Sequence, residues 1–331
     1  MLNPNLKLSP KIFKKDIPQI PTRDGYGEGL VLAGQSDERV VVLSADLKES
    51  TRSNLFEESF PDRYIEVGVA EQALATVASG MANYGKIPFI SSYAVFSPGR
   101  NWEQIRTTIC LNDVPVKIGG SHAGVNVGED GATHQMLEDI ALMRALPNMV
   151  VVAPCDSIET KKAVVESAKN GKPTYIRFAR EKSPVMTTDE TPFKIGRAET
   201  FWEDKDPLVA IIACGPLVYE ALKAAKELKK SKIGCLVINS HTIKPLDEQT
   251  IIKAAKLTGA VVTVEEHQVY GGLGSAVGET LAKNFPVPME FIGMPDKFGE
   301  SGKPKELLKK YGMTYSDIIS AAKRAIKRKN S

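Results

Sequence analysis

Two of the four histidines in the chain, His122 and His134, fall in one stretch, SHAGVNVGEDGATHQ at 121–135, together with Glu129 and Asp130. Gly120, Gly124, Gly128 and Gly131 allow the backbone there to approach a ligand closely. The four side chains supply polar and titratable groups to the loop. The spacing argues against two other chemistries. Neither histidine has a cysteine or third ligand at zinc-site distance, and no serine sits in a G-x-S-x-G elbow. Thr133 also reads as a helix cap. A second group is Glu71, in EVGVAEQALATVASGMANYG at 66–85. Ala70, Leu74, Val77, Ala78 and Met81 recur at helical spacing and Gly85 can close the helix. Glu71 therefore falls in the first turn, where the helix dipole favours a carboxylate and the flanking residues are apolar. It is either an ordinary first-turn glutamate or a carboxyl that shares a proton with a bound group. Arg180, by itself, reads as a surface charge at a strand end.

The elements that must position these side chains alternate short β-rich runs with helical patterns. VVVLSA at 40–45, IPFISS at 87–92, VPVKIGG at 114–120, MVVVA at 149–153 and TYIRF at 174–178 are continuously apolar runs, as expected of parallel strands covered on both faces. The histidine loop follows one of these strands and precedes a helix expected over Met136 to Leu146, and ligand sites of parallel sheets lie at such strand ends. From Arg180 to Pro207 the chain is rich in Thr, Pro and charge and reads as a connection between domains. A second series follows, with LVAIIAC at 208–214, IGCLVIN at 233–239, AVVTVEE at 260–266 and MEFIGM at 289–294. His241 and His267 stand at its strand ends and are expected to be structural or interfacial. The fold class is α/β, with two doubly wound, mostly parallel-sheet domains.

A length of 331 residues accommodates two domains, and 42% apolar with 25% charged residues is ordinary for a globular chain. A net charge of +3 gives no field that would gather nucleic acid or anionic membrane. The basic cluster Lys323, Arg324, Lys327, Arg328 and Lys329 reads as a solvated helix end. Cys110, Cys155, Cys214 and Cys235 form no CxxC pair and read as core residues of a protein in a reducing compartment. The first 22 residues carry no continuous apolar segment, and no run approaches the roughly 20 apolar residues of a membrane span. A cytoplasmic protein is expected.

VGVAEQ, NVGEDGATHQ, PTYIRFAR, VINSHTIKPLD, VTVEEH and GGLGSAV, in this order, resemble the pyrimidine-binding and C-terminal domains of transketolase, over roughly Thr22 to Ser320. The resemblance implies an N-terminal extension over 1–21, a pyrimidine-binding domain over 22–182, a linker over 183–206 and a C-terminal domain over 207–331. Members of that family hold the cofactor diphosphate through Mg²⁺ with a Gly-Asp-Gly motif in a further domain. No Gly-Asp-Gly occurs here. The chain is thus similar to the C-terminal subunit of a split transketolase, expected to work with an N-terminal subunit that carries this motif, in an α₂β₂ assembly.

Carried over position by position, the resemblance gives Glu71 the ring nitrogen of the aminopyrimidine of thiamine diphosphate, and Tyr93 and Phe96 the face of that ring. Asp130 and His134 would meet the donor ketose, and His122 with Arg180 the phosphate of a sugar phosphate. Arg23 and Ser44 align with further phosphate contacts. FSPGRNW differs in length from the family pattern, which leaves Arg100 and Trp102 as weaker cofactor candidates. No residue of this chain is assigned to metal. The implied reaction is transfer of a two-carbon ketol unit between ketose and aldose phosphates. Alternatives are the β subunit of a 2-oxo acid dehydrogenase, a 1-deoxyxylulose-5-phosphate synthase, and a homologue that has kept the fold and lost the activity.

Overall fold

The computed structural model describes residues 1–329; Asn330 and Ser331, the last two residues of the expected C-terminal domain, lie outside the described residues. All nine β-rich runs become strands of two sheets. The first sheet runs in the order Thr242–Lys244, Val150–Val152, Thr174–Arg177, Lys117–Ser121, Ile87–Tyr93, Val40–Ser44, Tyr64–Glu66. Its pairings are parallel except that of Thr242–Lys244 with Val150–Val152. Every residue of Val40–Ser44 and of Lys117–Ser121 is buried. On one face the helices Thr22–Ser36 and Ser157–Lys169 pack together, which requires glycine at 25: a Cβ there would stand 1.8 Å from Ser157 O. On the other lies Glu71–Asn83, contributing Leu74, Ala75, Ala78 and Ala82 to the core.

The second sheet is ordered Met289–Met294, Val261–Gln268, Pro207–Ala213, Gly234–Asn239, Glu199–Glu203, with the last strand antiparallel. That edge strand lies inside the segment expected to be a linker. Its mixed sequence ETFWE carries little strand signal by itself, and pairing with Gly234–Asn239 decides its conformation. Lys182–Pro184, also in that segment, pairs with Gln19–Pro21. The residues of the expected N-terminal extension form a strap along the second sheet. Asn3 N donates to Phe201 O (3.0 Å), and Leu6 and Ile12 enter the core beneath Phe201 and Trp202 of the second sheet.

One further expectation changes. The helix expected over 136–146 is Asp139–Arg144, because Met136 bridges Ala123 in extended conformation and its carbonyl accepts from Gly124 N (2.8 Å). The basic cluster is exposed on the last helix, as expected of a solvated helix end; there Arg324 and Arg328 pair with Glu290 at 2.8 and 3.0 Å, and Lys329 Nζ donates to Thr258 O at 2.7 Å. All four cysteines are buried. Among the described residues no helix is long and apolar enough to cross a membrane.

Lys117 is fully buried, and its Nζ donates to two neutral acceptors, Asn170 Oδ1 (2.8 Å) and Lys172 O (2.6 Å). Burial pulls its pKa from 10.5 down to about 7. Between those values the unfolded chain holds the proton and the folded chain does not, so folding releases it. Stability should therefore rise as the pH goes from about 7 to 10.5, with the penalty complete below about 7. Denaturant titrations of wild type and Lys117→Met across that window check the assignment. The variant should lose this part of the slope, and parallel curves for the two proteins would refute it.

Candidate functional site

Glu71 is the first residue of its helix, and the chain turns into it through Gly68, whose φ is +70°. Its side chain is 2% exposed, and Oε2 accepts from Arg100 Nη1 at 2.8 Å. The segment after the strand Ile87–Tyr93 builds this pair: fully buried Asn101 donates from Nδ2 to the Glu71 carbonyl (2.8 Å) and to Ser97 Oγ (3.2 Å), which fixes Arg100 beside the carboxylate. The Arg100 guanidinium also lies over the Phe96 ring, 4.9 Å from its centroid. A planar donor group thus stacks on an aromatic ring while bonded to a buried carboxylate.

Phe96 opens a chain of rings. Tyr93 lies parallel to it (centroids 6.0 Å, 13°), and His122 stacks on Tyr93 at 3.8 Å. His134 stands edge-on to both Tyr93 (6.2 Å) and Phe96 (5.6 Å). A φ of +57° at His122 turns its ring back toward the sheet, where Nδ1 meets Ser121 Oγ at 2.7 Å. Burial first, then the charges of Arg23 and Arg180 and the neighbouring His134, push the His122 pKa down to about 3. Its imidazole is consequently neutral at physiological pH, able to donate from one nitrogen and accept at the other.

Arg180 stands just past the strand Thr174–Arg177, and its Nη1 donates to Val127 O (2.8 Å), with Asp130 at 3.7 Å and Glu129 at 3.8 Å. Arg23 donates from Nη1 to Ser50 O (3.1 Å), while its Nε is buried with no partner among the described residues. Burial, and then the charges of Arg52 and Arg180, hold its guanidinium below the ordinary value despite neighbouring Asp24. Two arginines from separate elements, Arg23 and Arg180, therefore lie beside neutral His122, and an anion there would relieve their repulsion.

Eight of the residues named from the sequence thus come together: Glu71, Tyr93, Phe96, His122, Asp130, His134, Arg180 and Arg23. Ser44 is placed differently. It is fully buried, and its hydroxyl accepts from Leu47 N (3.4 Å). Of the two weaker candidates, Arg100 joins the group, whereas Trp102 donates from Nε1 to Leu142 O (3.0 Å) and packs against the core. Thr133 caps no helix; its hydroxyl bonds His134 Nδ1 at 2.9 Å. His241 is buried against Phe193, and His267 Nε2 accepts from Ala141 N (3.3 Å) across the two domains.

Sequence reasoning missed Asn101 and a pair that fixes the histidine loop, Asn126 and Glu266. Glu266 accepts from Asn126 N at 2.7 Å and from its Nδ2 at 2.9 Å. The available signal was the run VTVEEH, where two carboxylates end an apolar strand. Both are buried, and buried carboxylates need partners.

Comparison with known proteins agrees with this architecture. The family described as transketolase, pyrimidine binding domain, matches residues 18–185, and that described as transketolase, C-terminal domain, matches 198–318. A transketolase C-terminal section of Methanocaldococcus jannaschii is 45% identical over 91% of this chain and 94% of its own length. A 6-deoxy-6-sulfo-D-fructose transketolase subunit of a Clostridium species is 40% identical over 93% and 95%. Rat transketolase is 37% identical over 97% of this chain but 50% of its own length, so the chain spans about half of such an enzyme. A solved structure described as a split-gene transketolase, inactive beta4 tetramer, superposes with a TM-score of 0.88 at 44% identity, covering 94% of this chain and 99% of that one. With both domains matched in order and relatives of the same extent, the chain belongs to the transketolase family and corresponds to its C-terminal section, the pyrimidine-binding domain followed by the C-terminal domain.

Proposed function

We propose that this chain presents the pyrimidine half of a thiamine-diphosphate site and, with an N-terminal subunit that holds the diphosphate and Mg²⁺, transfers a two-carbon ketol unit between ketose and aldose phosphates. The observation that carries the reading is the Glu71–Arg100–Phe96 arrangement, in which a flat cationic donor already occupies a slot between an aromatic ring and a buried carboxylate. An aminopyrimidine makes the same two contacts, so the residues fit that end of the cofactor. Bound, thiamine diphosphate would supply the nucleophilic carbon and the electron sink. Glu71 would hold or release a proton at its Oε atoms, in the first turn of its helix and shielded from water. Tyr93 and Phe96 would set the plane of the ring. His134 and Asp130 would orient the hydroxyl and carbonyl oxygens of the sugar. Arg23, neutral His122 and Arg180 would take its terminal oxyanion, the arginines through their planar forks of donors.

Among the described residues no group of three or more His, Cys, Asp or Glu is placed to hold a metal ion. The Mg²⁺ is assigned to the partner chain on the family resemblance, whose Gly-Asp-Gly motif for it does not occur in this sequence. The relatives named as a C-terminal section and as an inactive tetramer support a subunit that needs a partner. Four buried, unpaired thiols accord with a reducing, cytoplasmic setting. The sulfofructose enzyme among the relatives favours a second reading of the substrate, a ketose ending in sulfonate. Sulfonate and phosphate are both tetrahedral oxyanions that the same arginines could bind.

The test is to mix the chain with its N-terminal subunit, thiamine diphosphate and Mg²⁺, and to assay ketol transfer from fructose 6-phosphate and from its 6-sulfo analogue, with 2-oxo acid decarboxylation alongside. Ketol transfer without decarboxylation is expected; decarboxylation in its place would move the chain to the 2-oxo acid dehydrogenase reading. Arg180→Ala should raise KM for a phosphorylated acceptor by about tenfold or more and leave KM for an unphosphorylated one nearly unchanged. Equal effects on both acceptors would place the arginine away from the oxyanion.

A further inference from the structure

The loop that carries His122, Asp130 and His134 belongs to the first domain by sequence, but it is held largely by the second. Glu266, at the end of the strand Val261–Gln268, accepts from both the backbone N (2.7 Å) and the Nδ2 (2.9 Å) of Asn126, in the middle of the loop. Two hydrogen bonds to one carboxylate fix a peptide plane and a side chain together. Glu266 is 3% exposed, and its backbone carbonyl accepts from Arg177 Nη2 (2.7 Å), an arginine whose Nε pairs with buried Asp139. The fit is close: a Cβ on Gly124, whose φ is +92°, would stand 2.4 Å from Glu266 Oε1.

A second set of contacts comes from the segment before the helix Pro304–Lys310. Gln135 Nε2 donates to Glu300 O (2.9 Å) and, within the loop, to Gly128 O (3.2 Å) and Val125 O (3.3 Å). A Cβ on Gly131 would lie 2.6 Å from Ser301 Oγ, and one on Gly128 would lie 3.2 Å from the Pro304 ring. Asp130, between those two glycines, is itself 38% exposed and faces Arg180. The loop is thus gripped on its inner side by the second domain, while Asp130 stays exposed and His134 half-buried on its outer side.

We propose that Glu266 is a positioning residue for substrate: through Asn126 it makes the C-terminal domain set the placement of Asp130 and His134, and so the affinity of the site for the donor sugar. The proposal rests on the reading of Asp130 and His134 as sugar contacts. Glu266, on a strand of the second domain, has no role in the proton transfer assigned to Glu71, which opens the helix Glu71–Asn83 of the first.

The test uses the reconstituted two-subunit enzyme. Glu266→Ala should raise KM for the donor ketose by about tenfold or more, with kcat changed by less than about threefold. Amide hydrogen exchange over residues 124–131 should speed up by a similar factor, with exchange over 71–83 unchanged. Glu266→Gln, which still accepts from the Asn126 amide, should recover most of both losses. Unchanged KM together with unchanged exchange in Glu266→Ala would overturn the proposal, as would accelerated exchange spread evenly over both domains. If Glu266→Ala does not fold, Asn126→Ala, which removes the Nδ2 donor alone, carries the same pair of readouts. Failure of the sugar reading would appear separately, as wild-type protein without ketol transfer whose 124–131 amides still depend on Glu266.

Discussion

Glu71→Ala is expected to lower ketol transfer by the reconstituted enzyme by about a thousandfold or more, and to slow deuterium exchange at the thiazolium C2 of thiamine diphosphate to a similar degree. General acid–base assistance is worth roughly 10² to 10⁴ in rate, and here the carboxyl stands in a buried slot where water is a poor substitute. The side chain is 2% exposed and bonded to Arg100, so its removal also leaves a half-exposed guanidinium without its anion. Glu71→Gln separates the two effects, because it keeps volume and a hydrogen-bond acceptor while losing the ionisable group. It should fold normally and remain nearly as inactive as the alanine variant. Wild-type C2 exchange in either variant would remove Glu71 from the proposed role. An Arg100→Ala variant with a severe loss of its own would show that the arginine works with the carboxylate.

The chain by itself should turn over no sugar, with activity at least about a thousandfold below that of the mixture with its N-terminal subunit. The site assembled here offers rings, a carboxyl and convergent cations, while the Gly-Asp-Gly motif with which the family holds Mg²⁺ does not occur in this sequence. Apolar surface lies beside it: Val69 is 70% exposed two residues before Glu71, and Val77 on the outer face of the same helix is 42% exposed. Such residues at a site boundary suit contact with another polypeptide. Assay of the purified chain with saturating thiamine diphosphate and Mg²⁺, before and after adding the N-terminal subunit, measures the dependence directly. Appreciable transfer by the chain alone would refute the split-site reading.

Much of the fold was legible because its parallel strands are continuous apolar runs. VVVLSA and LVAIIAC announce themselves wherever they occur, since burial on both faces leaves them almost wholly apolar, with Ser44 the one polar residue of the two runs. Glu199–Glu203, Thr242–Lys244 and Lys182–Pro184 were not legible. Each lies at a sheet edge or in a two-stranded ribbon, and each owes its conformation to a partner distant in sequence. The N-terminal strap is similar, because single apolar residues such as Leu6 and Ile12 carry no period, and only the cavity they fill makes them core. The helix expected from Met136 started late for the same kind of reason: the Ala123–Met136 bridge outweighed local helical preference.

For the site, residue types and order within short segments were decided by the sequence itself: a carboxyl in the first turn of a helix, two histidines and an aspartate on one glycine-rich loop, an arginine after a strand. These are local properties, fixed by helix and strand geometry within a few residues. What tertiary structure alone decided is how those segments meet. Arg100 reaches Glu71 across 29 positions of chain, and Glu266 reaches Asn126 across 140. Ser44, named by the resemblance as a phosphate contact, is fully buried with its hydroxyl on Leu47 N. Contacts at such separations depend on the order and twist of the strands that carry them, and no local pattern encodes that.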